Sequence, residues 1–458
     1  MKLTNQGFKL SIIFLTIFIS FMVAFGISST LPSKALLIAF ALGILIISFV
    51  SNEIALYILI LSMLLSPEIT IGGQGTETAA ETGRAVILRL EDLLLVIMGF
   101  SWFAKTAINK ELALLLKTPL NRPIFYYIFV CSLSTLFGIY WERVEVKTGF
   151  FYVLKYIEYF FIYFMVVNNV ERRNQLRNLT IIILFTCLIV CIVGIAQIPS
   201  GKRVSAPFEG EVGEPNTFGG YLALILSIVI GLFLYSQSPK LKISFAAFGI
   251  IIIIPFLYSL SRASWIALVP MVITLLIFSP KRIFIVGCLI TGLVLSPYFL
   301  PKSVEERIAY TFKEEKGNPS VKIGKIGLDP STSSRIISWQ NVLKDYAKHP
   351  IFGYGITGYK FVDAQYFRVL AEVGIVGMLA FLWMIYSLMK EVVKIYYKVE
   401  EKLYKGLSLG FLVGIVAMLT HGIGANTFII IRIMEPFWFL AGIVMVLPKI
   451  EESSLKFK

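Results

Sequence analysis

Three arginines stand out in a chain that is otherwise poor in charge: Arg203, Arg262 and Arg335. Arg203 lies in Gly201-Lys202-Arg203-Val204-Ser205-Ala206-Pro207-Phe208, which continues through Glu209, Glu211 and Glu214 to Pro215-Asn216-Thr217. Arg262 sits in Ser259-Leu260-Ser261-Arg262-Ala263-Ser264-Trp265, at a tight turn between two apolar runs, and Arg335 lies in a long polar segment between roughly Phe299 and Tyr366. A guanidinium stays charged, and its planar fork grips phosphate oxygens two at a time. Arginines converging beside a membrane would therefore suit the head group of an anionic lipid. The competing reading is interface arginines that snorkel to water.

Other chemistry-bearing residues are sparse. His349 and His421 are the only histidines, in unrelated segments; there is no HExxH, paired-cysteine or EF-hand pattern, so no metal and no cofactor is expected. His349, before Pro350, reads as a turn residue, and His421 lies near the end of an apolar helix. No Walker motif or glycine-rich nucleotide loop is present, which argues against energy from a cytosolic nucleotide. Ionisable residues inside apolar helices default to pairing or function. Lys155 and Glu158 are three apart, Arg368 and Glu372 four apart, and Arg432 precedes Glu435 by one turn, so each pair can neutralise itself locally.

The elements that must position these residues are membrane helices. Of 458 residues 57% are hydrophobic and only 15% charged, with a mean hydropathy of +0.81. Apolar runs of about 17–25 residues recur from end to end, the length of a transmembrane helix. Barrel strands would be shorter and would alternate in polarity. The expected fold is all-α: a polytopic integral membrane protein of about fourteen transmembrane helices with one long extracytoplasmic loop. Runs are expected near 10–27, 35–51, 53–66, 89–104, 124–140, 149–168, 178–198, 217–236, 241–258, 263–279, 282–299, 366–389, 406–424 and 428–447. The organisation is then 1–299 (helices with short loops), 300–365 (the loop) and 366–458 (C-terminal helices and tail). The formal charge of +14 does not call for nucleic acid, because most Lys and Arg fall in alternate short loops, as retention on the cytoplasmic side requires. Both termini are then cytoplasmic, in the inner (plasma) membrane, and Arg203, Arg262 and Arg335 share the opposite face. Cys131, Cys187, Cys191 and Cys288 lie within apolar runs and read as packing.

On that footing the chain resembles the O-antigen ligase and O-antigen polymerase family. The resemblance rests on Arg203 with Pro215-Asn216-Thr217, on Ser261-Arg262-Ala263-Ser264-Trp265, and on Arg335…Trp339…His349-Pro350-Ile351-Phe352-Gly353-Tyr354-Gly355. Leu370-Ala371-Glu372-Val373-Gly374-Ile375-Val376-Gly377 closes the pattern. It implies transfer of a glycan from a polyprenyl (undecaprenyl) pyrophosphate carrier to an acceptor hydroxyl, without metal or nucleotide. Partners implied are the carrier-linked oligosaccharide, an acceptor glycan or glycolipid and the bilayer, with a chain-length regulator or flippase as candidates and no nucleic acid. Arg203 and Arg262 match the family's carrier-binding arginines, and Arg335 an arginine opening its last loop. Asn216, Gln365 and Glu372 are the remaining candidates for substrate binding.

Family ligases carry a histidine shortly before the Tyr-x-x-x-Leu-x-Glu-x-Gly segment, whereas this chain has Asp363-Ala364-Gln365-Tyr366. Asp363 is therefore the candidate base, with helix capping as its competing role and with Glu209, Glu211 and Glu214 in reserve. The missing histidine favours a polymerase of surface polysaccharide over a ligase acting on lipid A-core. A transporter or flippase of lipid-linked sugars is the alternative of another class. It would place its polar residues near the bilayer midplane rather than at one end of the helices.

Overall fold

The computed structural model describes residues 50–66, 68–70, 87–108, 117–209, 213–313, 321–323 and 326–456, with a few isolated positions between 43 and 47. The runs expected at 10–27 and 35–51 (apart from the second's last residues) and Glu211 lie outside them. The chain divides into two units, residues 1–59 with 91–114 and residues 60–90 with 115–458.

The apolar runs fold as helices, as hydrocarbon demands of a backbone that must bond to itself. In chain order they are α1 (Asn52–Leu65), α2 (Leu90–Ile108), α3 (Asn121–Tyr140), α4 (Val146–Asn169), α5 (Arg173–Gln197), α6 (Pro215–Tyr235), α7 (Pro239–Tyr258), α8 (Arg262–Phe278) and α9 (Arg282–Phe299). Then follow α10 (Lys302–Tyr310), α11 (Pro330–Tyr346), α12 (Gln365–Lys398), α13 (Lys402–Gly424) and α14 (Ile431–Lys456). A short antiparallel ladder pairs β1 (Glu68–Thr70) with β2 (Ile87–Arg89), and another pairs β3 (Lys322–Ile323) with β4 (Ile326–Gly327).

Among the described residues eight helices are long and apolar enough to cross a membrane: α3 to α7 and α12 to α14. The helices α9 and α10, bent by 94° at their junction, would make a ninth if the pair is one span. Helices α1 and α8 are apolar but shorter. The all-helical membrane architecture is thus as expected.

The core of the second unit is built on α6 and α13, which pack most extensively. Their backbones touch through glycines: a Cβ on Gly410 would lie 2.8 Å from the Ile228 Cα. Small residues at such a crossing let van der Waals packing substitute for the hydrophobic drive that lipid does not supply. Helix α6 is almost wholly buried, whereas α7 and α9 turn long apolar faces outward, among them Ile283 and Tyr298.

The segment 300–365 is not an irregular loop. It contains α10 and α11, and its closing stretch folds back onto α12. There Gly374, at φ +69° and ψ −166°, breaks the helix. Into that break the loop inserts its backbone: the N–H groups of Tyr354 and Gly355 bond the Ala371 and Glu372 carbonyls (2.9 and 2.8 Å), and the Ile375 N–H bonds that of Pro350 (2.9 Å). A side chain at Gly374 would collide with Ile351, and the positive φ independently requires glycine. Beneath the loop, Trp339 of α11 stacks on Phe367 of α12, with ring centroids 5.0 Å apart and planes 6° apart. Val342, Tyr359, Val362, Ala364 and Ala371 close a small core around them. This core fixes α11 against the start of α12, and so sets where Arg335 and Asp363 meet.

Candidate active site

Arg203, Arg262 and Arg335 come together, and each is held differently. Arg203 leaves the turn after α5, and its Nε donates to the Ser259 carbonyl (3.0 Å). Its Nη2 donates to Asn216 Oδ1 (3.1 Å) and the Leu260 carbonyl (3.3 Å). Burial, and then the neighbouring charges of Arg307, Arg262 and Arg335, push its pKa down to about 10. Like charges crowded in this way would be relieved by an anion.

Arg262 opens α8 and is clamped by Asp329: Nη1 donates to Oδ2 (2.6 Å) and to Thr311 Oγ1 (3.0 Å), and Nη2 to Oδ1 (3.1 Å). Asp329 is fully buried and caps α11, accepting from the Ser331 and Thr332 N–H groups. Burial pushes its carboxyl up, but the Arg262 and Thr332 hydrogen bonds outweigh that and hold it below the usual range. Arg335 donates Nε and Nη2 to a single oxygen of Asp363, Oδ2 (3.1 and 2.7 Å), and Nη1 to Ser331 (3.3 Å). The two residues proposed from sequence as catalytic are therefore an ion pair. Asp363 does not cap α12: the cap position is Ala364, and no side chain accepts there.

Beside this cluster is a cavity of about 510 Å³. Asn216, at the start of α6, and Asp363 both line it, and each also bonds an arginine of the cluster. The rest of the wall supplies three cationic residues, Arg89, Lys155 and Arg368, with aromatic faces from Phe151, Tyr152, Tyr156 and Phe361. Lys155 pairs with Glu158 (3.0 Å) and Arg368 with Glu372 (3.3 Å), the two local pairs that the spacing gives.

Gln365 and Glu372, the other two substrate-binding candidates, do not line the cavity. Both are buried. Gln365 Oε1 accepts the Phe428 N–H (2.9 Å), and Glu372 Oε1 takes Arg368 and the Thr357 N–H, each at 3.3 Å. Their geometry is that of residues that position Arg368 and the loop. His421 is buried with Nδ1 against Thr427 Oγ1 (2.7 Å), and His349 packs edge-on against Tyr354; neither lines the cavity. Arg432 donates to the carbonyls of Leu64, Pro207 and Phe208 (3.2, 2.8 and 3.0 Å), tying the Arg203 loop to α14. Among the described residues no group of three or more His, Cys, Asp or Glu could hold a metal ion.

Of the reserve bases, Glu214 lines the cavity and accepts from Thr217 (2.7 Å). Glu209 instead staples the Arg203 loop, its Oε2 accepting the Ala206 and Glu214 N–H groups (3.1 and 2.9 Å). Burial, only partly offset by Arg432, pushes its pKa up to about 8. The folded state therefore keeps a proton that an unfolded carboxyl, with pKa about 4.3, would release. The stability from this group is full below the ordinary carboxylate range and is lost as pH rises to about 8. Glu209→Gln keeps an acceptor and cannot ionise, so its melting temperature in detergent should fall less than that of the unaltered protein over that window. Parallel curves would refute the assignment.

Sequence reasoning missed Asp329, Arg307 and Arg89. Asp329 had one signal: Asp-Pro-Ser-Thr ahead of a helix is a capping sequence.

The geometry can be set beside known families. Residues 247–382 match the family model for O-antigen ligase. The match takes in Arg262, Arg335, Asp363, Gln365 and Glu372, and so supports the resemblance over the second half of the site; Arg203 and Asn216 fall before it. The family is one of membrane glycan transferases. Among curated proteins no significant match is found.

Proposed function

We propose that the protein transfers an oligosaccharide from a polyprenyl pyrophosphate carrier to a sugar hydroxyl, on the extracytoplasmic face of the inner membrane, as a polymerase of surface polysaccharide. The observation that carries this reading is the shared wall. Asn216 and Asp363 each face a cavity large enough for sugars and each bond an arginine of an anion-ready cluster. Pyrophosphate lies against Arg203, Arg262 and Arg335, and sugar in the cavity, where aromatic faces and charged donors suit a saccharide. The acceptor oxygen bonds the anomeric carbon as the bond from that carbon to the proximal phosphate oxygen breaks. The electron pair leaves with the pyrophosphate, and the hydroxyl proton passes to the Asp363 carboxylate. Negative charge grows on the leaving group in the transition state, and arginines already held in place stabilise it without reorganising.

The orientation is supported by charge. Lys390, Lys394, Lys398, Lys402 and Lys405 collect around the turn between α12 and α13, at the opposite end of α12 from Gln365. Lysine-rich short loops stay cytoplasmic. The second reading, a ligase, is favoured by the description of the matched family; the absence of a histidine before Tyr366 favours the polymerase. Carrier-lipid and glycan profiling of a deletion strain separates them. Loss of long chains with single repeat units retained is the expected result. Accumulation of full-length glycan on the carrier would replace the polymerase with a ligase, and unchanged profiles would remove both.

A further inference from the structure

Arg307 belongs to no motif, yet the fold aims it at the arginine cluster. It lies on α10, four residues before Thr311, so the two share a helix face. Thr311 accepts from Arg262 Nη1 (3.0 Å), its hydroxyl donates to the Arg307 carbonyl (3.3 Å), and its own carbonyl accepts the Asp329 N–H (3.1 Å). The end of α10 is thereby fastened to the Arg262–Asp329 pair, with Arg307 one turn away.

Its guanidinium differs from the other three. Arg203 is bonded to carbonyls and Asn216, Arg262 to Asp329, and Arg335 to Asp363. Among the described residues Arg307 has no hydrogen-bond acceptor at all, only the face of Tyr310 at 5.6 Å, and its Nε is buried without a partner. Four guanidiniums here face the two carboxylates bonded to them, an excess of two positive charges. The pyrophosphate of a glycosylated carrier, a diester at both ends, bears two negative charges.

Placement separates its role from that of Arg203. Helix α10 turns by 94° from α9. If α9 crosses the membrane, α10 lies along its surface, burying Val304 and exposing Lys302, Glu305 and Glu306 to one side and Ile308 to the other. Arg307 would then stand at head-group level, on the helix that continues from α9, whose apolar side chains face outward along most of its length.

We propose that Arg307 binds the phosphate that retains the polyprenyl chain, completing a four-arginine site in which Arg203 and its neighbours take the phosphate next to the sugar. This rests on the carrier-lipid reading above. The full-length protein in nanodiscs is titrated with undecaprenyl pyrophosphate and with undecaprenyl monophosphate. The monophosphate carries only the phosphate that retains the polyprenyl chain, so charge-assisted contacts to the sugar-side phosphate should favour the pyrophosphate by about tenfold or more. Arg307→Gln should weaken both lipids about equally and leave that preference in place, and Arg307→Lys should restore part of the binding. Since no hydrogen bond within the described residues is lost, the melting temperature should not move. Unchanged binding of both lipids in Arg307→Gln, or weakening of the pyrophosphate alone, overturns the assignment. If the unaltered protein binds both lipids and Arg203→Gln erases the preference, while Arg307→Gln behaves as the unaltered protein, only the Arg307 inference fails. If the unaltered protein binds neither lipid, the carrier reading fails with it.

Discussion

Asp363→Asn is expected to insert and fold normally, yet to lose about 10²–10⁴-fold in glycan transfer, the usual worth of a general base. Arg335 places both of its donors on Oδ2. Among the described residues Oδ1 has no partner, and the residue faces the cavity with a third of its side chain exposed. One oxygen anchors the carboxylate and the other is left to take a proton. Asparagine still offers Arg335 an acceptor but cannot receive a proton. Capping is no longer a competing explanation, because the cap position of α12 is Ala364. Transfer should be measured per amount of inserted protein. Near-normal turnover would remove Asp363 as base and move the search to Glu214, the other carboxylate on the cavity wall.

What could be read from the sequence follows from how local each signal is. The membrane helices announce themselves as apolar runs, and the expected bounds from 53–66 onward agree with the observed helices to within a few residues at most ends, α12 and α14 running well past their expected C-terminal ends. Lys155–Glu158 and Arg368–Glu372 are pairs on single helices, set by the 3.6-residue turn, and both form. Arg262–Asp329 spans 67 residues, and nothing near either one encodes the other. Arg432, read as the partner of Glu435 one turn on, also bonds carbonyls more than 200 residues away, which no local spacing encodes. The 300–365 segment is polar and short in period, so its helices α10 and α11 were hidden by the absence of any long apolar stripe. The cluster of Arg203, Arg262 and Arg335 was legible because membrane topology alone puts all three at one end of the helices. Arg307 was not, since a half-exposed arginine on a nine-residue helix looks like any surface charge.

The Arg262–Asp329 clamp separates a structural arginine from one that meets substrate. Asp329→Asn keeps the cap of α11, since asparagine caps about as well as aspartate, but leaves the Arg262 guanidinium without its counter-charge. Arg262→Gln leaves a fully buried carboxylate alone. Breaking a buried pair from either side is destabilising, by up to about 3 kcal/mol where one partner keeps some access to water, as Arg262 does. Removing both charges together abolishes the uncompensated one, so the double variant Arg262→Gln with Asp329→Asn should melt close to the unaltered protein. Its transfer activity should nonetheless stay at the level of Arg262→Gln, because the guanidinium proposed to face the pyrophosphate is absent. Recovery of both stability and transfer in the double variant would show that Arg262 serves only to hold α8 against α11. Binding of the carrier would then rest on Arg203, Arg335 and Arg307.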